Sequence, residues 1–199
     1  MKTEIEAKWL RIDLDEMRGK LEKAGAKLIH SERLMSRKTY DFPDRRLNDI
    51  GAWVRVRNEG DKVTMSFKQL NERSIVGMKE ASILVDNQSE AEVFLTSLGL
   101  TQKSAQDTKR ESWTLNGCEI ELDTWPWIPS FLEIEGYSQE KIYETAEQLG
   151  LLMEDALYGG VEPAYQDVFN VTDKDVDSID HISFDIDPPE ILESNRIQE

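Results

Sequence analysis

The stretch Glu4-Ile5-Glu6-Ala7-Lys8 puts two carboxylates and an ammonium within five residues. Side chains of an extended strand alternate between faces, so Glu4, Glu6 and Lys8 share one face while Ile5, Ala7 and Trp9 share the other. Taken alone, such a pentapeptide is more often an amphipathic strand with solvated charges. The rest of the chain repeats the pattern with the same residue types. Trp53, Arg55, Arg57 and Glu59 oppose Val54 and Val56. Thr64, Ser66 and Lys68 oppose Val63, Met65 and Phe67, and Glu80 with Ser82 opposes Ala81, Ile83 and Val85. Thr108, Arg110, Ser112 and Thr114 oppose Trp113 and Leu115. Glu119, Glu121 and Asp123 oppose Cys118, Ile120 and Leu122, and Glu133 with Glu135 opposes Leu132 and Ile134. Arg37, Thr39 and Asp41 form one further polar row. Arginines two residues apart suit planar, bidentate capture of phosphate oxygens. Carboxylates set as E-x-E suit a hard divalent cation such as Mg²⁺ or Mn²⁺. A surface carrying both fits a polyanionic ligand that binds metal, and polyphosphate chains are the obvious class.

The elements that carry these rows are readable from turn and capping signals. A first strand leads to a helix capped by Asp13 with Glu16 three residues on, and stopped at Gly25. A long strand spans Lys27 to Phe42, and three more cover Gly51–Arg57, Lys62–Leu70 and about Ser74–Val85. A second helix is expected from Ser89 with Glu92, its apolar stripe Ala91, Phe94, Leu95 and Leu98. Strands near Ala105–Leu115, Glu119–Trp125 and Phe131–Tyr137 follow, the first two joined by the hairpin signal Asn116-Gly117. Ser138 caps a third helix. Short helices at Glu162–Phe169 and Asp173–Ser178 and a short strand through Ile182, Phe184 and Ile186 complete the reading. The acidic run from Asp173 to Asp187 reads as solvated surface, and the end from Asp187 as peripheral. Every long strand thus has an apolar face and a charged face, and three amphipathic helices are available to cover the apolar ones. Either an open sheet wets its polar face, or the sheet closes with helices outside and charges lining a lumen. The abundance of arginine and paired carboxylates favours closure, which also removes exposed strand edges.

The chain has 199 residues and a net charge of −16, with one cysteine. That charge disfavours nucleic acid and anionic membranes as partners. Cys118 has no disulfide partner, no leader is visible ahead of the charged first strand, and no apolar run is long enough to span a bilayer. The expected setting is therefore the cytoplasm, as a monomer or homodimer. Trp125-Pro126-Trp127 reads as packing in preference to a nucleobase platform, and His30 and His181 read as structural.

The motifs, in order, resemble the CYTH superfamily of triphosphate tunnel metalloenzymes. Glu4-Ile-Glu-Ala-Lys8 matches its E-x-E-x-K signature, and the strand ending Thr39-Tyr-Asp-Phe-Pro43 looks like its second strand. Trp53-Val-Arg-Val-Arg57 matches its R-x-R strand. Lys68, Glu80, Arg110, Glu119-Ile-Glu-Leu-Asp123 and Phe131-Leu-Glu-Ile-Glu-Gly136 fit the later strands. The resemblance covers residues 1–170, with 171–199 as an acidic C-terminal extension. It implies an α+β, mainly β fold: an eight-stranded antiparallel closed barrel with helices packed outside. By resemblance Lys8, Arg37, Arg55, Arg57, Lys68 and Arg110 hold a triphosphate, with Lys38 the alternative to Arg37 as inward base. Glu4, Glu6, Glu133 and Glu135 hold metal, helped by Glu119, Glu121 or Asp123, and Lys8, Arg57 and Glu133 are the catalytic candidates. The implied activity is metal-dependent hydrolysis of a triphosphate-containing small molecule. Class IV adenylyl cyclase and a non-catalytic polyphosphate or nucleotide binder are the alternatives.

Because lysine lacks the planar fork of arginine, Arg55→Lys and Arg57→Lys are each expected to lower kcat/KM by roughly tenfold, about 1.4 kcal/mol. Arg45→Lys and Arg46→Lys, in the loop after Pro43, are expected to change it little. Steady-state kinetics on the four variants checks the contrast.

Overall fold

Strand-by-strand alternation of apolar and charged residues builds one sheet that curls until its ends meet. In the computed structural model, which describes residues 1–198, the N-terminal stave is β1 (Lys2–Thr3) and β2 (Ile5–Trp9), interrupted at Glu4. The others are β3 (Lys27–Asp41), β4 (Ala52–Asn58), β5 (Val63–Leu70) and β6 (Met78–Val85), then β7 (Thr101–Leu115), β8 (Cys118–Thr124) and β9 (Phe131–Gly136). Their order is β1-β6-β5-β4-β3-β7-β8-β9-β2. Since β1 and β2 belong to one stave, that order closes the ring. Lys2 pairs with Glu80 on β6, while Glu6 and Lys8 pair with Glu135 and Glu133 on β9. The expected barrel of eight staves is thus present. The strand count is higher because one stave is broken and because β10 (His181–Ile182) adds in parallel to β7.

Helices cover the apolar outer faces. α1 (Leu14–Lys23) and α3 (Gln139–Gln148) bring Met17, Leu21, Ile142 and Ala146 onto Ala7, Trp9, Ile120, Leu122, Leu132 and Ile134. α2 (Gln88–Ser97) sets Ala91 and Leu95 against Tyr40 and Val56. Asp13 and Ser138 cap as expected, accepting the N–H groups of Glu16 and Lys141. α2 begins earlier than its Ser89 signal. Asn87, as good a cap as serine, accepts the Glu90 N–H, and Glu92 instead pairs with Lys38 at 2.7 Å. Phe94 and Leu98 of the expected stripe are exposed. Asn116 and Gly117 join β7 to β8 with φ of 55° and 81°, the doubly left-handed turn their sequence demands. Asp41 leaves the polar row assigned to it. At the last residue of β3 its carboxylate turns into the following loop, accepting the N–H groups of Phe42, Leu47 and Asn48.

The chain after α3 holds the expected two short helices and short strand, and departs from expectation in how closely they dock. It forms α4 (Glu162–Gln166), α5 (Asp173–Asp177), β10 and α6 (Glu190–Glu193). Phe169, Val176, Ile179, Ile182 and Leu192 are buried with Trp125, Ile128, Phe131 and Tyr165 in a second core at one end of the barrel. The acidic run is not simply solvated. Asp173 pairs with Arg73 at 2.7 Å, and Asp177 pairs with Arg45 and Lys103. Two features explain this docking. β8 pairs with β7 only between Lys109 and Leu115, which leaves the first half of β7 an edge for β10. Apolar residues spaced between the acids also give the segment an inward face. Leu192 is completely buried, while Glu190, Ile191 and Glu193 on the same short helix are exposed. Leu192→Ala should cost about 2–5 kcal/mol and lower the melting temperature of the whole protein in one transition. Thermal unfolding followed by circular dichroism checks this, since a detached tail would leave the melting temperature unchanged.

Candidate functional site: a charged barrel lumen

The inner faces of the staves enclose a cavity of about 1480 Å³. Its wall is a set of buried ion pairs. Lys8 Nζ donates to Glu133 Oε1 at 2.8 Å and to the Gly160 carbonyl at 2.7 Å. Arg110 donates through Nε and Nη2 to both oxygens of Asp123, at 2.7 and 2.5 Å, and from Nη2 to Glu133 Oε2 at 3.0 Å. Lys68 lies 2.8 Å from Glu4, and Arg55 lies 3.3 Å from Glu80. Arg57 donates to Glu59 at 2.6 Å. Cross-strand register makes two of these pairs: Lys8 faces Glu133 and Arg110 faces Asp123 directly across neighbouring staves.

Burial and crowding decide the protonation of the wall. Glu4 is pushed up to about 7 by burial, with Lys68 opposing, and Glu121 to about 7 by burial against Arg110. Burial and the neighbouring Glu133 raise Glu6 as well. Burial would also raise Glu133, but Lys8 and Arg110 overcome it and hold this carboxyl well below the usual range. Among the cations, Arg55 is pushed down to about 9 by burial and by Arg57. Arg37 is driven well below the ordinary range by burial and then by Arg55, Arg57 and Arg110. A guanidinium does not give up its proton in a protein, so this pressure is a demand for an anion.

A family model for the CYTH domain matches residues 2–157. The chain belongs to the CYTH family. No curated protein matches it by sequence. Among solved structures, the PH1012 protein of Pyrococcus horikoshii OT3 is 24% identical with a TM-score of 0.64, the match covering 77% of this chain and 93% of that one. A candidate adenylate cyclase from Vibrio parahaemolyticus is 15% identical with a TM-score of 0.71, over 83% of this chain and 98% of that one. The Hippeastrum protein HpAC1, described as a candidate adenylyl cyclase with a dominant triphosphatase activity, is 17% identical with a TM-score of 0.58, over 79% and 91%. At these identities the three neighbours share the fold with this chain.

The CYTH barrel brings Glu4, Glu6, Lys8, Arg37, Arg55, Arg57, Lys68, Arg110, Glu119, Glu121, Asp123, Glu133 and Glu135 onto one cavity. Arg37 faces inward, and Lys38 points outward to Glu92 on α2. Glu119 is exposed at the rim, while Asp123 is fully engaged by Arg110. Three contributors were not named as site residues from the sequence, although Glu59 already stands on the polar row of Arg55 and Arg57. Glu59 pairs with Arg57, Gln106 accepts from Arg37 Nε at 2.8 Å, and Glu162 approaches Lys8 from the C-terminal segment. Glu59 and Gln106 were discoverable from strand parity, since each falls on the polar face of its strand. Glu162 follows a Gly-Gly loop, and nothing local marks it.

The donor set suits a hard divalent cation: all the acids offer oxygen, and buried Glu4 Oε2 and Glu121 Oε2 lack a well-directed hydrogen bond. Among the described residues no three carboxylate, histidine or cysteine groups already converge in a ligand cage. Cations of the wall hold several of these carboxylates instead.

The raised carboxyls make a pH prediction with a definite sign. Glu4 and Glu121 titrate near 7 in the folded state and from 4.5 when unperturbed. Their contribution to stability is therefore fully present below about 4.5 and lost as pH rises through about 7. Glu121→Gln should flatten this decline between pH 5 and 8 in urea unfolding of the ligand-free protein. An unchanged slope would show that Glu121 is ionised throughout.

Proposed function

We propose that this CYTH protein is a divalent-metal-dependent phosphohydrolase acting on a triphosphate-containing small molecule. The observation that carries the reading is the cluster of Arg37, Arg55, Arg57 and Arg110 in one buried lumen. Arg37 has no carboxylate partner among the described residues. A phosphate chain relieves that repulsion, and guanidinium forks orient its oxygens. Arg37, Arg55, Arg57 and Lys68 bind and align the chain. Lys8, buried and fixed between Glu133 and the Gly160 carbonyl, keeps a positive charge at one point. There it stabilises negative charge developing on a phosphoryl oxygen. Arg110 anchors Asp123 and Glu133 and supplies a second such charge. Glu133 stays ionised because Lys8 and Arg110 flank it. Glu4, Glu6, Glu133 and Glu135, with Glu119, Glu121 or Asp123, would hold Mg²⁺ or Mn²⁺, which when bound supplies Lewis-acid charge and an acidified water.

Product analysis with inorganic triphosphate, thiamine triphosphate and ATP, in Mg²⁺ or Mn²⁺, tests the proposal. Release of inorganic phosphate is the expected result. Cyclic AMP with pyrophosphate would make the protein a cyclase, and tight binding without turnover would make it a binding module. Glu6→Gln should lower kcat by at least roughly a hundredfold with the fold intact, because an amide is a poorer ligand for a hard cation than a carboxylate. Wild-type turnover by this variant would leave Glu6 with a structural role only.

A further inference from the structure

Arg37 is held differently from the other lumen arginines. Each of them contacts a carboxylate, whereas Arg37 is held by two neutral groups. Its Nε donates to Gln106 Oε1 at 2.8 Å, and its guanidinium carbon lies 4.0 Å from the centre of the Trp125 ring. Both holders are themselves fixed. Gln106 Nε2 donates to Ser104 Oγ at 3.2 Å, and Ser104 Oγ donates to the Ile179 carbonyl at 2.8 Å. Gln106 also pairs with Ile182 of β10. Trp125 packs edge-on against Tyr165, with ring centres 6.3 Å apart, and the Tyr165 hydroxyl donates to the Pro126 carbonyl at 3.2 Å. Ile179, Ile182 and Tyr165 all lie beyond residue 157, where the family match ends. Asp123, a carboxylate whose field acts on Arg37, already spends both oxygens on Arg110.

A face-on aromatic ring and an amide oxygen hold a guanidinium in place without cancelling its charge. We propose that Gln106 and Trp125 are positioning residues that keep Arg37 as an unneutralised cation for the phosphate chain, and that the segment after residue 157 braces both. This rests on the lumen being a triphosphate site, as proposed above. It assigns specific work to the neutral residues. The amide at 106 matters because a carboxylate there would occupy Arg37 in the empty protein.

Gln106→Glu therefore moves two readouts in opposite directions. The added carboxylate stands where the amide oxygen already accepts from Arg37. It should raise the melting temperature of the ligand-free protein while weakening inorganic triphosphate binding by roughly tenfold or more, through competition for one guanidinium. Calorimetric titration of the full chain with inorganic triphosphate, metal chelated, gives the affinity. Trp125→Phe should stay within about twofold of wild type, and Trp125→Leu should lose roughly tenfold, since only the aromatic ring presents a π face. If Trp125→Leu fails to fold, the pair formed by Gln106→Glu and Trp125→Phe still decides. Wild-type affinity in Gln106→Glu would overturn this proposal alone. Failure of the wild-type protein to bind inorganic triphosphate would overturn it together with the phosphohydrolase reading.

Discussion

Arg110 stands where the lumen's charges meet: it holds Asp123 with both prongs of its fork, reaches Glu133, and lies 3.9 Å from Glu121. Charges taken out of water are costly unless they are paired and hydrogen-bonded. A closed barrel that turns its polar face inward must therefore neutralise that face internally. Glu133 is shared by Arg110 and Lys8, Glu4 sits on Lys68, Glu80 on Arg55 and Glu59 on Arg57. Burial acts on every member, yet its outcome differs with the partners. Glu133, between two cations, is held ionised, whereas Glu6 and Glu121 are pushed toward the protonated form. Arg37 is the place where internal neutralisation stops.

Closure depends on the N-terminal stave. β1 bonds to β6 and β2 to β9, and the break at Glu4 lets one short segment finish both sides of the ring. That arrangement aims Glu4, Glu6 and Lys8 into the cavity while Ala7 and Trp9 face α1 and α3. Each apolar side chain that docks a helix outside thus fixes the direction of a charged neighbour inside. The same period of two that builds the core builds the site.

Much of this was legible because strand parity is a rigid code. Arg55 and Arg57 point inward since Val54 and Val56 point outward, and Glu133 with Glu135 follows from Leu132 and Ile134 in the same way. Parity lost its hold at strand ends and in the C-terminal segment. Asp41 shares the parity of Arg37 but caps a loop, because β3 ends on it. Asp173 and Asp177 looked solvated on charge alone; Asp173 stays exposed, yet both are ion-paired, because Val176, Ile179 and Ile182 beside them dock the segment against the free edge of β7. Trp125 was correctly read as a packing residue, but its contact with Arg37 depends on a loop geometry that no periodicity encodes. Sequence spacing reports which face a side chain takes. It does not report which neutral neighbour will leave a charge unpaired.

The central claim is that this lumen is a site for a phosphate chain. It is tested most directly by a crystal structure of the protein with inorganic triphosphate and Mn²⁺. Phosphate oxygens are expected within hydrogen-bond distance of Arg37, Arg55 and Arg57, with anomalous scattering from Mn²⁺ beside Glu4, Glu6 or Glu133. Triphosphate seated on the outer surface, or a lumen that keeps every ion pair and stays empty at saturating ligand, would contradict it.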